Sequence, residues 1–111
     1  MNAFSSVPTV DVRQLAQARE AGARLIDVRE PDEYEAGHVP GAVLLPLGEL
    51  VARTGEVPMG EPVYVICQSG GRSEKAAKYL RSRGVDARNV SGGTHAWIRS
   101  GRPATAGSTP D

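Results

Sequence analysis

The 111-residue sequence has a single cysteine, Cys67. No internal disulfide can form, which matches a reducing, cytosolic setting. Net charge is also lacking, because 13 basic and 13 acidic residues cancel. No overall field therefore draws the chain to nucleic acid or to an anionic membrane. No apolar run approaches the ~20 residues that span a bilayer. The opening "MNAFSSVPTV" has neither the basic nor the apolar region of a secretory leader. No cluster of His, Cys, Asp and Glu has metal-ligand spacing, no dinucleotide fingerprint is present, and no segment repeats. These absences predict a small cytoplasmic domain with no metal and no cofactor, long enough to fold around its own core.

What is present alternates between strand and helix patterns. "PTV" fits a short first strand. Asp11 followed by Gln14 forms a capping box, and Val12, Leu15 and Ala16 give the next helix an apolar face that ends near Gly22. "RLIDV", Arg24 to Val28, is a compact buried strand. "PDEYEAG" opens with Pro at the first helical position, carries acids in its first turn and stops at Gly37. "GAVLLP" predicts a third strand and "LGELVAR" a short helix. "PVYVIC" is continuous, β-branched and apolar, as a central parallel strand is. Ser73 to Arg83 predicts a helix with Ala76, Ala77 and Leu80 on one face and Gly84 as its stop. "DARNV" and "THAWIRS" give a last strand and a last helix. The expected fold is α/β, a mostly parallel central sheet of about five strands flanked by helices on both faces. Residues 1–7 are expected to be a lead-in, 8–103 the domain, and 104–111 a loose polar tail.

The stretch that carries chemistry is "CQSGGRS", Cys67 to Ser73. In open parallel sheets, ligands bind beyond the carboxyl ends of the strands, and Cys67 sits at that end of the strongest strand. Gly70 and Gly71 permit a left-handed backbone and let N–H groups converge on one point. The helix that follows adds its own unpaired N–H groups and its dipole. Arg72 adds a positive charge. Such surroundings favour a thiolate, which is the nucleophilic form. A lone cysteine is commonly an inert small hydrophobe, but packing alone does not call for Gly-Gly, Arg and a helix start behind it.

Three segments in order resemble the single-domain rhodanese-like sulfurtransferases. "LIDVREPDEYEAGHVPGAVLLP" is similar to the family's upstream signature, "CQSGGRS" to its active-site loop of Cys, four residues and Arg, and "SGGTHAWIRSGRP" to its C-terminal signature. The resemblance implies a thiolate on Cys67 that takes the outer sulfur of a donor such as thiosulfate, holds it as a persulfide and passes it to cyanide or a thiol. It implies a substrate-binding loop of Gln68, Ser69, Gly70, Gly71, Arg72 and Ser73. With no second cysteine to resolve a persulfide, the acceptor comes from outside, as cyanide, a thiol or a protein. No nucleic acid or membrane partner is expected.

Other residues are expected to support. The resemblance implies that Asp27 and Arg29 ion-pair or bond the loop backbone, with Glu35 pairing to Arg29 in the same way. His38 is read as fixing a turn, His95 and Trp97 belong to the last helix with Trp97 packing, and "RSEKAAKYLRSR" as a solvated face. Two rival functions stand beside sulfur transfer. Cysteine phosphatases and arsenate reductases space Cys and Arg by five residues where this loop has four. Non-catalytic rhodanese-like binding modules typically lose the cysteine that is kept here. Ser69 is neutral where some thiosulfate-using relatives carry a basic residue, which leaves the donor open.

Overall fold

The computed structural model describes residues 6–111; residues 1–5 of the expected lead-in lie outside the described residues. Five strands form one sheet: β1 (Thr9–Val10), β2 (Arg24–Asp27), β3 (Val43–Leu44), β4 (Pro62–Ile66) and β5 (Asp86–Val90). Their order across the sheet is β1-β5-β4-β2-β3, and every paired neighbour runs parallel. The helices are α1 (Val12–Glu20), α2 (Pro31–Ala36), α3 (Gly71–Ser82) and α4 (Gly93–Arg99). Asp11 and Gln14 close the expected capping box on α1. "LGELVAR" forms a three-residue 3-10 turn, Leu47–Glu49, and continues through further turns to a second 3-10 segment, Thr54–Glu56, rather than the expected helix.

β4 shows why the sheet needs helices on both faces. Its side chains alternate: Val63, Val65 and, past its end, Cys67 join a core with Ala76, Ala77 and Leu80 of α3. Tyr64 and Ile66 join a second core with Leu15 of α1, Tyr34 of α2 and Trp97 of α4. The period of two along a strand buries both faces. The chain passes from β2 outward to β3, then returns across β2 to β4 and continues the other way to β5. The connections leaving β2 and β4 therefore diverge to opposite faces. That divergence opens a crevice at their carboxyl ends, the usual ligand position in such sheets. Among the described residues no helix is long and apolar enough to cross a membrane.

The structure differs from expectation at the tail. Residues 104–111 are polar and small, yet they are tied to the domain by main-chain hydrogen bonds. His38 N donates to Thr105 O at 2.9 Å and Thr105 N returns a bond to His38 O, while Gly41 N donates to Pro110 O and Gly107 N to Glu35 O. These bonds satisfy peptide groups around the α2–β3 turn, a need that side-chain composition does not reveal. His38 itself is fully buried, stacks on Tyr34 with ring centroids 3.6 Å apart, and has Nδ1 2.8 Å from Tyr34 O.

Candidate active site

Cys67 leaves β4 on the α3 side and is 1% exposed. The next residues curl over its sulfur. Gly70, with φ +116°, caps α3, so the helix begins at Gly71, two residues earlier than the sequence pattern indicates. That left-handed turn, open to glycine, aims the Gly70 N–H at Cys67 Sγ, 3.1 Å away. Ser73, in the first turn of α3, places its Oγ 3.3 Å from the same sulfur and 2.6 Å from Asn89 Oδ1 on β5. Carbonyls of the loop point the other way. Thr94 N donates to Cys67 O at 2.9 Å and His95 N to Gln68 O at 3.0 Å, so the start of α4 holds the loop from beneath.

Burial pushes the Cys67 thiol up, and donors outweigh it: the Ser73 side chain, then the backbone N–H groups of Ser73, Gly70 and Ser69, bring the thiol below its ordinary 9.0. This is the hydrogen bonding to the charged form that favours a thiolate.

Arg72 does not stand free beside the sulfur. Its guanidinium forms a bidentate pair with Glu33 of α2, Nη1 to Oε1 at 2.7 Å and Nη2 to Oε2 at 2.8 Å. The Arg72 hydrogen bond holds the Glu33 carboxyl down to about 2, and the pair in turn raises Arg72, with a smaller push from Cys67. Behind it lies a second pair, both members buried. Asp27 accepts from Arg29 Nη2 at 2.8 Å and from Arg29 Nε at 3.0 Å. Arg29 goes on to donate to Gly37 O at 2.9 Å and to Gln68 Oε1 at 3.2 Å. One guanidinium therefore joins the end of β2, the end of α2 and the Cys67 loop. Removing one member of such a buried pair costs about 3–5 kcal/mol. A shallow depression of about 310 Å³ lies alongside, lined by Arg29, Glu33, Gly37, Gln68, Thr94 and Ile98.

The structure thus brings together Cys67, Gln68, Gly70, Arg72, Ser73, Asp27 and Arg29. Gly71 begins α3, and Ser69 is exposed on the rim. Glu35 does not pair with Arg29; it is exposed on the outer face of α2, and Asp27 with the Gly37 carbonyl takes that guanidinium instead. His95 is exposed, whereas Trp97 is buried with its Nε1 donating to Pro103 O at 2.7 Å. Two residues at the site escaped the sequence reading. Glu33 was visible only as an acid in a helical first turn, 39 positions from its partner. Asn89 was visible only as one of three polar residues in "DARNV", and its burial beneath α3 was not legible from that pattern.

Comparison with known proteins agrees with this geometry. The "Rhodanese-like domain" family model matches residues 11–100. The chain is 40% identical over 82 residues to "Putative sulfur carrier protein YrkF" of Bacillus subtilis (strain 168), covering 72% of this chain and 44% of that protein. It is 46% identical over 76 residues to "Uncharacterized protein YqhL" of the same organism, covering 68% of this chain and 60% of that one. The chain spans about half the length of the curated relatives it matches. The crystal structure of a rhodanese-related protein from Thermoplasma volcanium superposes with a TM-score of 0.85 at 28% identity, over 90% of this chain and 99% of that one.

Proposed function

The chain belongs to the rhodanese-like domain family, and from that premise we propose that it is a sulfurtransferase working through a persulfide on Cys67. The observation that carries the reading is the sulfur at the end of β4 with the Gly70 N–H at 3.1 Å and the Ser73 hydroxyl at 3.3 Å. The Cys67 thiolate attacks the outer sulfur of thiosulfate or a similar donor. A bond forms between the two sulfurs, the donor's S–S bond breaks, and sulfite departs with the electron pair. Charge is conserved, because the enzyme keeps one negative charge on the persulfide. Cyanide or a thiolate then attacks the terminal sulfur and restores the Cys67 thiolate.

Splitting the transfer in two is ordinary covalent catalysis, and donors preset around an anion stabilise both the thiolate and the persulfide. No general base is needed when the thiolate is already favoured. Gln68, Ser69, Gly71 and Arg72 form the rest of the donor-binding rim, with Asp27 and Arg29 fixing the loop's position. A small anionic donor fits the shallow depression, and the acceptor is external because Cys67 is the only cysteine. The reading suits a reducing compartment such as the cytoplasm, where a lone thiol stays reduced.

Intact-mass analysis after incubation with thiosulfate tests this directly. The protein should gain the mass of one sulfur, lose it on addition of cyanide, and show neither change as Cys67→Ser. Ready cleavage of an aryl phosphate with no sulfur adduct would overturn the reading in favour of phosphatase chemistry, and neither activity would leave a binding module.

A further inference from the structure

Ser73 stands among three acceptors with one proton to give. Its Oγ lies 3.3 Å from Cys67 Sγ, 2.6 Å from Asn89 Oδ1 and 3.2 Å from Gly70 O. A hydroxyl has a single donor hydrogen, so it serves one of these well at any moment. Ser73 is fully buried and Asn89 is 5% exposed, which keeps bulk water from making up the difference. Asn89 reaches the hydroxyl from β5, and among the described residues its amide makes this one hydrogen bond. An asparagine amide has an accepting end and a donating end of nearly the same shape, and the heavy atoms fit either orientation. With the oxygen toward Ser73, the hydroxyl proton is held by Asn89 and the sulfur keeps only its backbone N–H donors, Gly70 N at 3.1 Å foremost. With the nitrogen toward Ser73, the amide donates into the hydroxyl oxygen and the hydroxyl proton turns to the sulfur.

We propose that Asn89 is a positioning residue: the orientation of its side-chain amide decides whether Ser73 donates to Asn89 or to the Cys67 sulfur, and so how readily the thiolate forms. The proton that Cys67 loses passes to solvent, and no other covalent bond changes. The charged groups near the sulfur come from other elements and are already paired, Arg72 of α3 with Glu33 of α2, and Asp27 with Arg29 at the end of β2. β5 faces it with the neutral Asn89, and α4 meets the loop through main-chain N–H groups. The Ser73 hydroxyl is thus the adjustable donor in a setting of fixed ones. The inference rests on Cys67 being the reacting group.

The test is the pH dependence of Cys67 alkylation by iodoacetamide in the full chain. It reads the thiolate without any sulfur donor, so its outcome is separate from that of the persulfide experiment. Asn89→Asp presents accepting oxygens at both ends and should hold the Ser73 proton away, raising the midpoint by about one unit, or about tenfold less thiolate at a given pH. Asn89→Leu cannot hold that proton and should leave the midpoint at or below that of wild type. Ser73→Ala should raise the midpoint, and adding Asn89→Asp to it should raise it further only by the part due to the new charge, clearly less than in the wild-type background. Three results would each overturn the proposal: equal shifts for Asp and Leu at position 89, a full Asn89→Asp shift in the Ser73→Ala background, or an unmoved Ser73→Ala midpoint. Where the Asn89 variants fail to fold, the side-chain amide ¹⁵N resonance of Asn89 in the unaltered protein decides. It should move with the Cys67 titration, and a constant position would refute the coupling.

Discussion

Gly93→Ala should damage the site without changing any residue that donates to the sulfur. Gly93 is buried at the start of α4 with φ +58°, and a Cβ there would lie 2.5 Å from Cys67 O, 2.6 Å from Gln68 O and 2.7 Å from the Gln68 carbonyl carbon. Ordinary contact begins near 3.4 Å, so the loop backbone has to retreat by about 0.9 Å, a displacement in the range where misplacement can cost ~100-fold in rate. These are main-chain atoms, fixed by β4 on one side and by the Thr94 and His95 N–H groups on the other, and they have no rotamer to escape into. The left-handed backbone costs an L-residue about 1–2 kcal/mol, overpacking adds about 1–3 kcal/mol, and two strained hydrogen bonds add up to about 1 kcal/mol each. We expect a loss of about 3 kcal/mol or more in urea unfolding and a fall of at least about tenfold in thiosulfate-to-cyanide turnover per folded molecule. Gly92→Ala is the comparison. Its Cβ meets only the Ala96 side chain, at 2.6 Å, so it should lose stability while turnover per folded molecule stays within about twofold. A Gly93→Ala protein with unfolding within about 0.5 kcal/mol of wild type and unchanged kinetics would show that α4 does not shape the loop.

The alkylation rate of Cys67 should titrate with a midpoint below the ordinary 9.0, and a midpoint at the ordinary value would remove the case for the N–H cradle. The sign for stability follows: the folded state gives up its proton first, so wild type should gain stability over Cys67→Ser as pH rises from that midpoint to the ordinary value, and stay level outside the window. Glu33→Gln should leave the Arg72 fork free for a dianionic donor, lowering KM for thiosulfate about threefold to fivefold with kcat little changed; an unchanged or higher KM would mean the fork does not reach the donor. Because the Glu33 carboxyl sits at about 2 in the folded state, the pair's stabilisation is present above the ordinary value of 4.5 and is lost as pH falls toward 2. Acid unfolding of Glu33→Gln should therefore be shallower than that of wild type across that window.

The elements were legible because each has its own local cause. Asp11 and Gln14 cap α1, Pro31 opens α2, the β-branched run of β4 asks for burial on both faces, and Gly84 ends α3. The position of Cys67 at a strand end beneath a glycine loop was legible for the same reason, since strand, loop and helix start are consecutive in the chain. The misreadings concern partners distant in sequence. Nothing local distinguishes Glu33 from Glu35 as the acid that faces inward; α2 is six residues long, and its orientation over the sheet makes the choice. The tail misled because polar side chains say nothing about where main-chain carbonyls go, and Thr105, Gly107 and Pro110 are used through their backbones. Asn89 needed the β4–β5 register, which sets it opposite Val65 and under the first turn of α3.

A cradle made from peptide N–H groups has consequences for how such a protein changes over generations. The groups that hold the anion survive every substitution except proline, because every other residue brings the same backbone N–H. Apart from proline, selection acts on them through the glycines that set the turn: Gly70, whose φ of +116° suits no L side chain, and Gly93, where a Cβ would collide with the loop. The exposed rim is under no such constraint. Ser69 is exposed, and a side chain there other than proline leaves the N–H that faces the sulfur in place. On the proposed sulfurtransferase reading, donor preference would drift at the rim while the loop beneath keeps its shape. A library randomised at Ser69 alone is the place to look for new sulfur donors.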